Sequence, residues 1–173
     1  MERGYLQVYT GNGKGKTTAA LGLAVRAAGA GLAVYLGQFI KSMEYHEIAV
    51  LRKIPGITVE LYGSKGCIVD REPDSIDQEG VDYGMEKAAQ ALTSGQYDLV
   101  ILDEIFIACF FEMLTGTQIV ELADGRAPGT ELVLTGRYAP QEVLEHADLV
   151  TEMKDIRHYY DTLGLLARDG IER

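Results

Sequence analysis

The run Thr10-Gly11-Asn12-Gly13-Lys14-Gly15-Lys16-Thr17-Thr18 constrains this chain more than any other stretch. It lies between Leu6-Gln7-Val8-Tyr9, which reads as a strand, and an Ala/Leu-rich segment from about Lys16 to Ala28, which reads as a helix. Glycines let a backbone wrap tightly, so that successive N–H groups point inward at an anion. The first turn of the helix adds its partial positive charge at the same place. A strand, a glycine-rich turn and a helix in this order form a cradle for nucleotide phosphates. Lys16 is expected on the solvent side as a mobile cation for the outer phosphates, and the Thr17 hydroxyl is placed to ligate Mg²⁺. Gly11, Asn12, Gly13, Lys14, Gly15, Lys16, Thr17 and Thr18 are therefore predicted to hold the triphosphate of ATP. The general pattern is Gly, four residues, then Gly-Lys-Ser/Thr. Its first position here is Thr10, and counted from Gly11 the loop is one residue short.

The rest of the chain alternates strand-like and helix-like stretches. Further strands are expected at Leu32 to Phe39, Ile57 to Leu61, Leu99 to Leu102, Glu131 to Leu134 and near Leu149 to Glu152. Helices are expected from about Gln78 to Leu92, around Gln118 to Ala123, and opening at Pro140. Gly63 to Asp77, rich in Gly, Pro, Asp and Ser, reads as a loop. Strands that are continuously apolar between helices predict an α/β fold, a mostly parallel sheet of about six strands with helices on both faces. No repeat, linker or low-complexity segment breaks the 173 residues, so 1–173 is expected to be one domain.

A second motif fits the first. Leu99-Val100-Ile101-Leu102-Asp103-Glu104 is an apolar strand ending in two carboxylates. Asp103 is expected to hold Mg²⁺ directly or through water, and Glu104 to orient a reactant or complete the metal shell. Composition removes other classes. A net charge of −10, spread along the chain, counts against nucleic-acid binding. The greasiest stretch, Ile105 to Phe111, is far too short to cross a membrane. Met1-Glu2-Arg3-Gly4 leads almost directly into a strand without a signal peptide, and Cys67 and Cys109 make neither a disulfide framework nor a metal spacing. The expected location is the cytoplasm.

Further words extend the pattern: Gln38-Phe39-Ile40-Lys41, Leu102-Asp103-Glu104, Thr135-Gly136-Arg137, Ala147-Asp148-Leu149-Val150-Thr151-Glu152-Met153, Arg157-His158 and Gly170-Ile171-Glu172. With the loop, they make the chain resemble the P-loop corrinoid adenosyltransferases along nearly its whole length. The shortened loop is itself a feature of that family. The resemblance implies a RecA-like parallel sheet, commonly in a homodimer. It also implies transfer of the 5′-deoxyadenosyl group of ATP to cobalt(I) of cob(I)alamin or cobyrinic acid a,c-diamide, with intact triphosphate leaving. A reductant, expected to be a flavoprotein, must supply the electron. The family holds ATP in the reverse sense along the loop, which presents C5′ to the corrin. On this reading Lys16 and Glu104 are catalytic, Lys16 neutralising charge on the leaving triphosphate, and Thr17, Asp103 and Glu104 serve the metal.

Arg26 matches an arginine of the family, where a nucleotide contact is expected, although a surface arginine reads almost as well. Lys41 and Arg137 end strands, where ligands of open α/β sheets bind. Each reads as a contact to phosphate or to a corrin amide, or equally as a solvated charge. His158 reads as a hydrogen-bonded structural histidine rather than a cobalt ligand.

The chain also departs from the family. Some members carry an N-terminal helix over the site, for which no room is expected here. Some carry a Phe-x-Trp pair whose positions fall near Cys67 and Val69. The stretch from Arg157 to Gly164 is one residue longer than usual. Two other readings of the same loop are a phosphoryl-transferring kinase or ATPase and a nucleotide-binding regulatory module without chemistry.

Overall fold

A computed structural model describes residues 2–41, 45–63 and 71–172. The elements among them run β1 (Leu6–Thr10), α1 (Lys16–Gly29), β2 (Val34–Gln38), α2 (His46–Leu51), β3 (Ile57–Leu61), α3 (Ser75–Thr93), β4 (Leu99–Asp103), α4 (Ile105–Phe110), α5 (Gly116–Asp124), β5 (Glu131–Thr135), α6 (Gln141–His146), β6 (Leu149–Glu152) and α7 (Tyr159–Leu163). The six strands form one sheet in the order β3-β2-β4-β5-β1-β6, and every pairing is parallel. The expected fold class, α/β with about six parallel strands, is the one found.

Alternation along the strands divides the core in two. Val34, Leu36, Leu99, Ile101 and Val133 face α1 and α2, where Ala20, Ala24, Ile48 and Leu51 meet them. Val8, Tyr35, Val100, Leu102, Leu132 and Leu134 face the other way, onto Val81, Ala88 and Leu92 of α3, Phe106 of α4 and Ile119 of α5. Burial on both faces is why β2 and β4 are buried at every position and carry no polar alternation. β6, at the sheet edge, is exposed at all four of its positions.

Several boundaries differ from expectation for local reasons. The long helix begins at Ser75 rather than Gln78, because Asp74 caps it. Asp74 accepts from the backbone N–H groups of Ile76 and Asp77, and the Asp77 carboxylate accepts from the Asp74 N–H. Arg71 donates to both oxygens of Asp77. The polar run expected as a loop to Asp77 therefore contains the helix start. Cys67 and Val69 lie outside the described residues. Thr115 and Gln118 make a second capping box, which starts α5 at Gly116. The short helices α2, α4 and α7 had no counterpart among the expected elements. The greasy stretch Ile105 to Phe111 contains α4, whose Ile105, Phe106 and Ala108 are buried.

Candidate functional site

An all-parallel sheet places the carboxyl ends of its strands along one edge. Here β2, β4, β5 and β1 are consecutive neighbours, so the residues that follow them come together. Lys41 after β2, Glu104 after β4, Arg137 after β5 and the loop 12–18 after β1 line one cavity of about 840 Å³. Three of these turns hold non-glycine residues in the left-handed region, Ile40, Glu104 and Tyr138, at φ of 66°, 60° and 61°. Such conformations cost about 1–3 kcal/mol each and collect at functional sites.

The loop is built against the chain that leaves β6. The Gly13 N–H donates to the Met153 carbonyl, and the Met153 N–H donates to the Thr10 carbonyl. A Cβ on Gly13 would stand 2.7 Å from the Met153 carbonyl carbon and oxygen. That is backbone against backbone, so only glycine fits. Gly15, at φ 116°, caps the N-terminus of α1 in a conformation glycine adopts without strain. The expected reason for the glycines was close approach to phosphate; at Gly13 the nearer constraint is the protein's own backbone.

Lys16 departs from expectation. It is buried, not solvent-facing, and its ammonium donates to the carbonyls of Gly11 and Gly13 at 2.7 and 2.8 Å. Burial pushes its pKa below the ordinary lysine value, and the attraction of Glu104 opposes that shift. Two of the three ammonium hydrogens thus shape the loop, leaving one for a ligand. Thr17 is half-buried and Thr18 exposed, and both line the cavity. The Lys14 side chain turns away from the loop, to the Glu172 carboxylate at 2.8 Å and to the Tyr159 hydroxyl and Ile171 carbonyl.

The carboxylate pair divides. Asp103 has no exposed surface and does not line the cavity. Its Oδ1 accepts from the Thr135 hydroxyl at 2.6 Å, and its Oδ2 accepts from the Gln38 amide at 2.8 Å and stands 3.7 Å from the Lys41 ammonium. Glu104 does line the cavity, 3.4 Å from Lys41, and its backbone N–H donates to the Thr135 hydroxyl. Burial alone would lower the pKa of Lys41, but Asp103 and Glu104 outweigh it and hold the ammonium above its ordinary value. Lys41 therefore stays cationic across the physiological range. Its cation is paired within the site rather than free in solvent.

Arg137 is exposed at the cavity wall. Arg26 is exposed in the last turn of α1, near Tyr9, and is not among the lining residues. His158 lines the cavity and caps α7, its Nδ1 accepting from the Tyr160 N–H, as a structural histidine would. Sequence reasoning missed a whole wall. Leu21 and Val25 of α1, Val50 and Leu51 of α2 and Ile54 line the cavity, as do Gly170 to Glu172 near the C-terminus. The one signal for that wall was the word Gly170-Ile171-Glu172, since α2 is too short to show a helical period.

Comparison with known proteins decides the family. Residues 2–173 match the sequence profile described as ATP:corrinoid adenosyltransferase BtuR/CobO/CobP. The chain belongs to the ATP:corrinoid adenosyltransferase family. It is 33% identical over 171 residues to the corrinoid adenosyltransferase of Escherichia coli K12, covering 99% of this chain and 86% of the relative. The corrinoid adenosyltransferase of Pseudomonas aeruginosa is 34% identical over 172 residues, with 99% and 84% covered. The corrinoid adenosyltransferase CobA of Salmonella typhimurium is 33% identical over 181 residues, with 99% and 86% covered. As in the resemblance read from the motifs, the match to this family extends along the whole chain, and no helix among the described residues is long and apolar enough to cross a membrane.

Proposed function

We propose that this chain transfers the 5′-deoxyadenosyl group of ATP to the cobalt of a reduced corrinoid and releases triphosphate. The observation that carries the reading is the convergence, in a chain of this family, of the loop amides, Lys16, Thr17, Glu104, Lys41 and Arg137 on one cavity. The substrates divide by chemistry. The triphosphate belongs at the loop, where N–H groups, the α1 N-terminus and Lys16 supply positive potential. The corrinoid, whether cob(I)alamin or cobyrinic acid a,c-diamide, approaches from the open side of the cavity.

In the reaction, the electron pair of cobalt(I) forms a bond to the ribose C5′. The bond from C5′ to the α-phosphate oxygen breaks, and its electrons leave on the triphosphate. Lys16 and the loop amides stabilise that leaving charge, and Lys41 and Arg137 add two fixed cations at the cavity wall. The cobalt(I) form must be generated by an external reductant, for which a flavoprotein fits.

Magnesium fits the donors present. Thr17 and Glu104 offer hard oxygen ligands on the same cavity, and no cluster of three metal-binding side chains exists among the described residues. That suits an ion held by one carboxylate, one hydroxyl and the phosphates themselves. When bound, Mg²⁺ would screen the triphosphate charge. Asp103 then acts through Thr135, Gln38 and Lys41. Cytoplasmic operation as a homodimer completes the reading.

The test separates carbon–oxygen from phosphorus–oxygen cleavage. ATP with an imido group in the β,γ bridge should still adenosylate a chemically reduced corrinoid and yield the intact triphosphate analogue. A kinase or ATPase must break that bridge and would stop. Release of orthophosphate from ATP, with no cobalt–carbon product at any corrinoid concentration, would overturn the proposal in favour of phosphoryl transfer.

A further inference from the structure

The segment after β6 crosses the cavity while contributing nothing to the core. No residue from 154 to 172 is buried, and Leu163, Leu166 and Ile171 are largely exposed. What holds its end is polar. Arg168 to Glu172 close on themselves: the Arg168 N–H donates to the Glu172 carboxylate, the Glu172 N–H donates to the Arg168 carbonyl, and Gly170 turns at φ 72°. This turn is tied to the body at two places, both at residues that line the cavity. At one, Glu172 accepts from Lys14 of the phosphate loop at 2.8 Å, and from Tyr159 and Arg168. At the other, Asp169 hydrogen-bonds His46, the first residue of α2, at 2.9 Å. Gly170, Ile171 and Glu172 line the cavity between the two anchors. About 840 Å³ still remains beneath them, which is the size of a small-molecule site, about 300–1,000 Å³.

We propose that Glu172 is a positioning residue, clamping the turn Arg168–Glu172 across the mouth of the nucleotide cavity as a strap that must loosen to let nucleotide in or out. The inference rests on the nucleotide reading of the cavity. Because the strap fills none of the core, its attachment is a matter of a few charge-assisted hydrogen bonds, and such segments open locally at small cost. The Glu172 carboxylate, facing Arg168 and then Lys14 and Tyr159, is held well below the usual carboxylate range, so it is charged at neutral pH. The anchor is therefore sensitive to salt rather than to physiological pH, since exposed charges are screened within about 8 Å at 0.15 M ionic strength.

The fluorescent methylanthraniloyl derivative of ATP, with Mg²⁺, measures the strap directly by stopped flow. Glu172→Gln should release the probe about two- to fivefold faster than the wild type, the scale expected for losing an exposed ion pair. Asp169→Asn, at the other anchor and away from the phosphate loop, should accelerate release in the same direction. Raising salt should accelerate release from the wild type more than from the double variant, whose remaining salt dependence is that of the triphosphate's own contacts. Hydrogen exchange of residues 165–172 should slow when the probe and Mg²⁺ are bound, a response that a merely structural tie would not give. Unchanged release in both folded variants, or exchange indifferent to nucleotide, overturns the strap. Failure of the wild type to bind the probe at all overturns the nucleotide reading as well.

Discussion

Asp103→Asn and Glu104→Gln should fail in different ways, although the two residues are adjacent and both changes remove one charge. The Asp103 carboxylate is wholly buried and accepts bonds of 2.6 and 2.8 Å from Thr135 and Gln38, with Lys41 at 3.7 Å. Hydrogen bonds to a charged group contribute about 1.5–3 kcal/mol and neutral ones about 0.5–1.5 kcal/mol. Two bonds each weakened by about 1–1.5 kcal/mol give a loss of about 2–3 kcal/mol. The asparagine NH₂ finds an acceptor if the Gln38 amide inverts and presents Oε1, which has no partner among the described residues. That relief keeps the loss from growing larger. For a chain of this length about 2–4 °C accompanies each kcal/mol, so the melting temperature should fall by about 4–12 °C. Glu104 is partly exposed, and among the described residues its side chain makes one ion pair, with Lys41 at 3.4 Å. Glu104→Gln should therefore cost less than about 1 kcal/mol, yet raise the Mg²⁺ concentration needed for ATP binding by about tenfold or more. Thermal unfolding followed by circular dichroism and calorimetric titration with ATP at graded Mg²⁺ separate the two quantities. If Asp103→Asn melts like the wild type while shifting the Mg²⁺ requirement as far as Glu104→Gln, Asp103 meets the metal directly and the division between the two carboxylates is wrong.

Gly13→Ala should lower stability by about 1–3 kcal/mol, because its Cβ would meet the Met153 backbone at 2.7 Å. Gly22→Ala, with nothing within 4 Å of its Cβ on α1, should instead gain about 0.5–1 kcal/mol of helix propensity; melting temperatures moving together would remove the Met153 contact from the account. The Cys109 thiol is pushed up to about 12 by burial, with Glu142 adding to the shift. At pH 8 that leaves about 10⁻⁴ as thiolate against about a quarter for an ordinary thiol, so a Cys67→Ser protein should react with a disulfide reagent about 10³-fold more slowly folded than unfolded. Equal rates would show that Cys109 is open to solvent.

What the sequence made legible was local. The loop could be found because strand, glycines and helix are contiguous, and β4 because a buried parallel strand is apolar throughout and its two carboxylates stand where it ends. The motifs also brought Lys41, Glu104 and Arg137 to the ends of strands, and strand adjacency then brings them together. The rest depended on contacts between distant residues. Lys16 was expected in solvent because lysines usually are, and only the fold of the loop shows two carbonyls turned onto its ammonium. Lys14 sits in the loop by sequence, but its side chain belongs to Glu172, 158 residues away. The helix start at Asp74 was readable from Asp74 and Asp77 and was passed over because glycine, proline and serine around them read as loop. No periodicity announces α2 or α4, which are six residues each and too short to show one.

The shortened loop becomes intelligible once two motif words are taken as one object. In sequence, the glycine-rich run and Ala147-Asp148-Leu149-Val150-Thr151-Glu152-Met153 stand more than a hundred residues apart. In the fold, β6 lies parallel to β1, with Thr10 beside Glu152. Asp148 joins the start of that pair, its carboxylate accepting from the Leu6 N–H and its own N–H donating to the Leu6 carbonyl. Thr10 and Gly13 then exchange hydrogen bonds with Met153 at the far end. A loop with one residue fewer has less backbone with which to brace itself, and here the brace comes from outside, from the strand next door. Gly13 answers to Met153 twice: its N–H donates to the Met153 carbonyl, and its Cα lies against the same backbone. A side chain at Gly13 would break that fit before any nucleotide arrived. That is why the edge strand, although exposed along its length, belongs to the site.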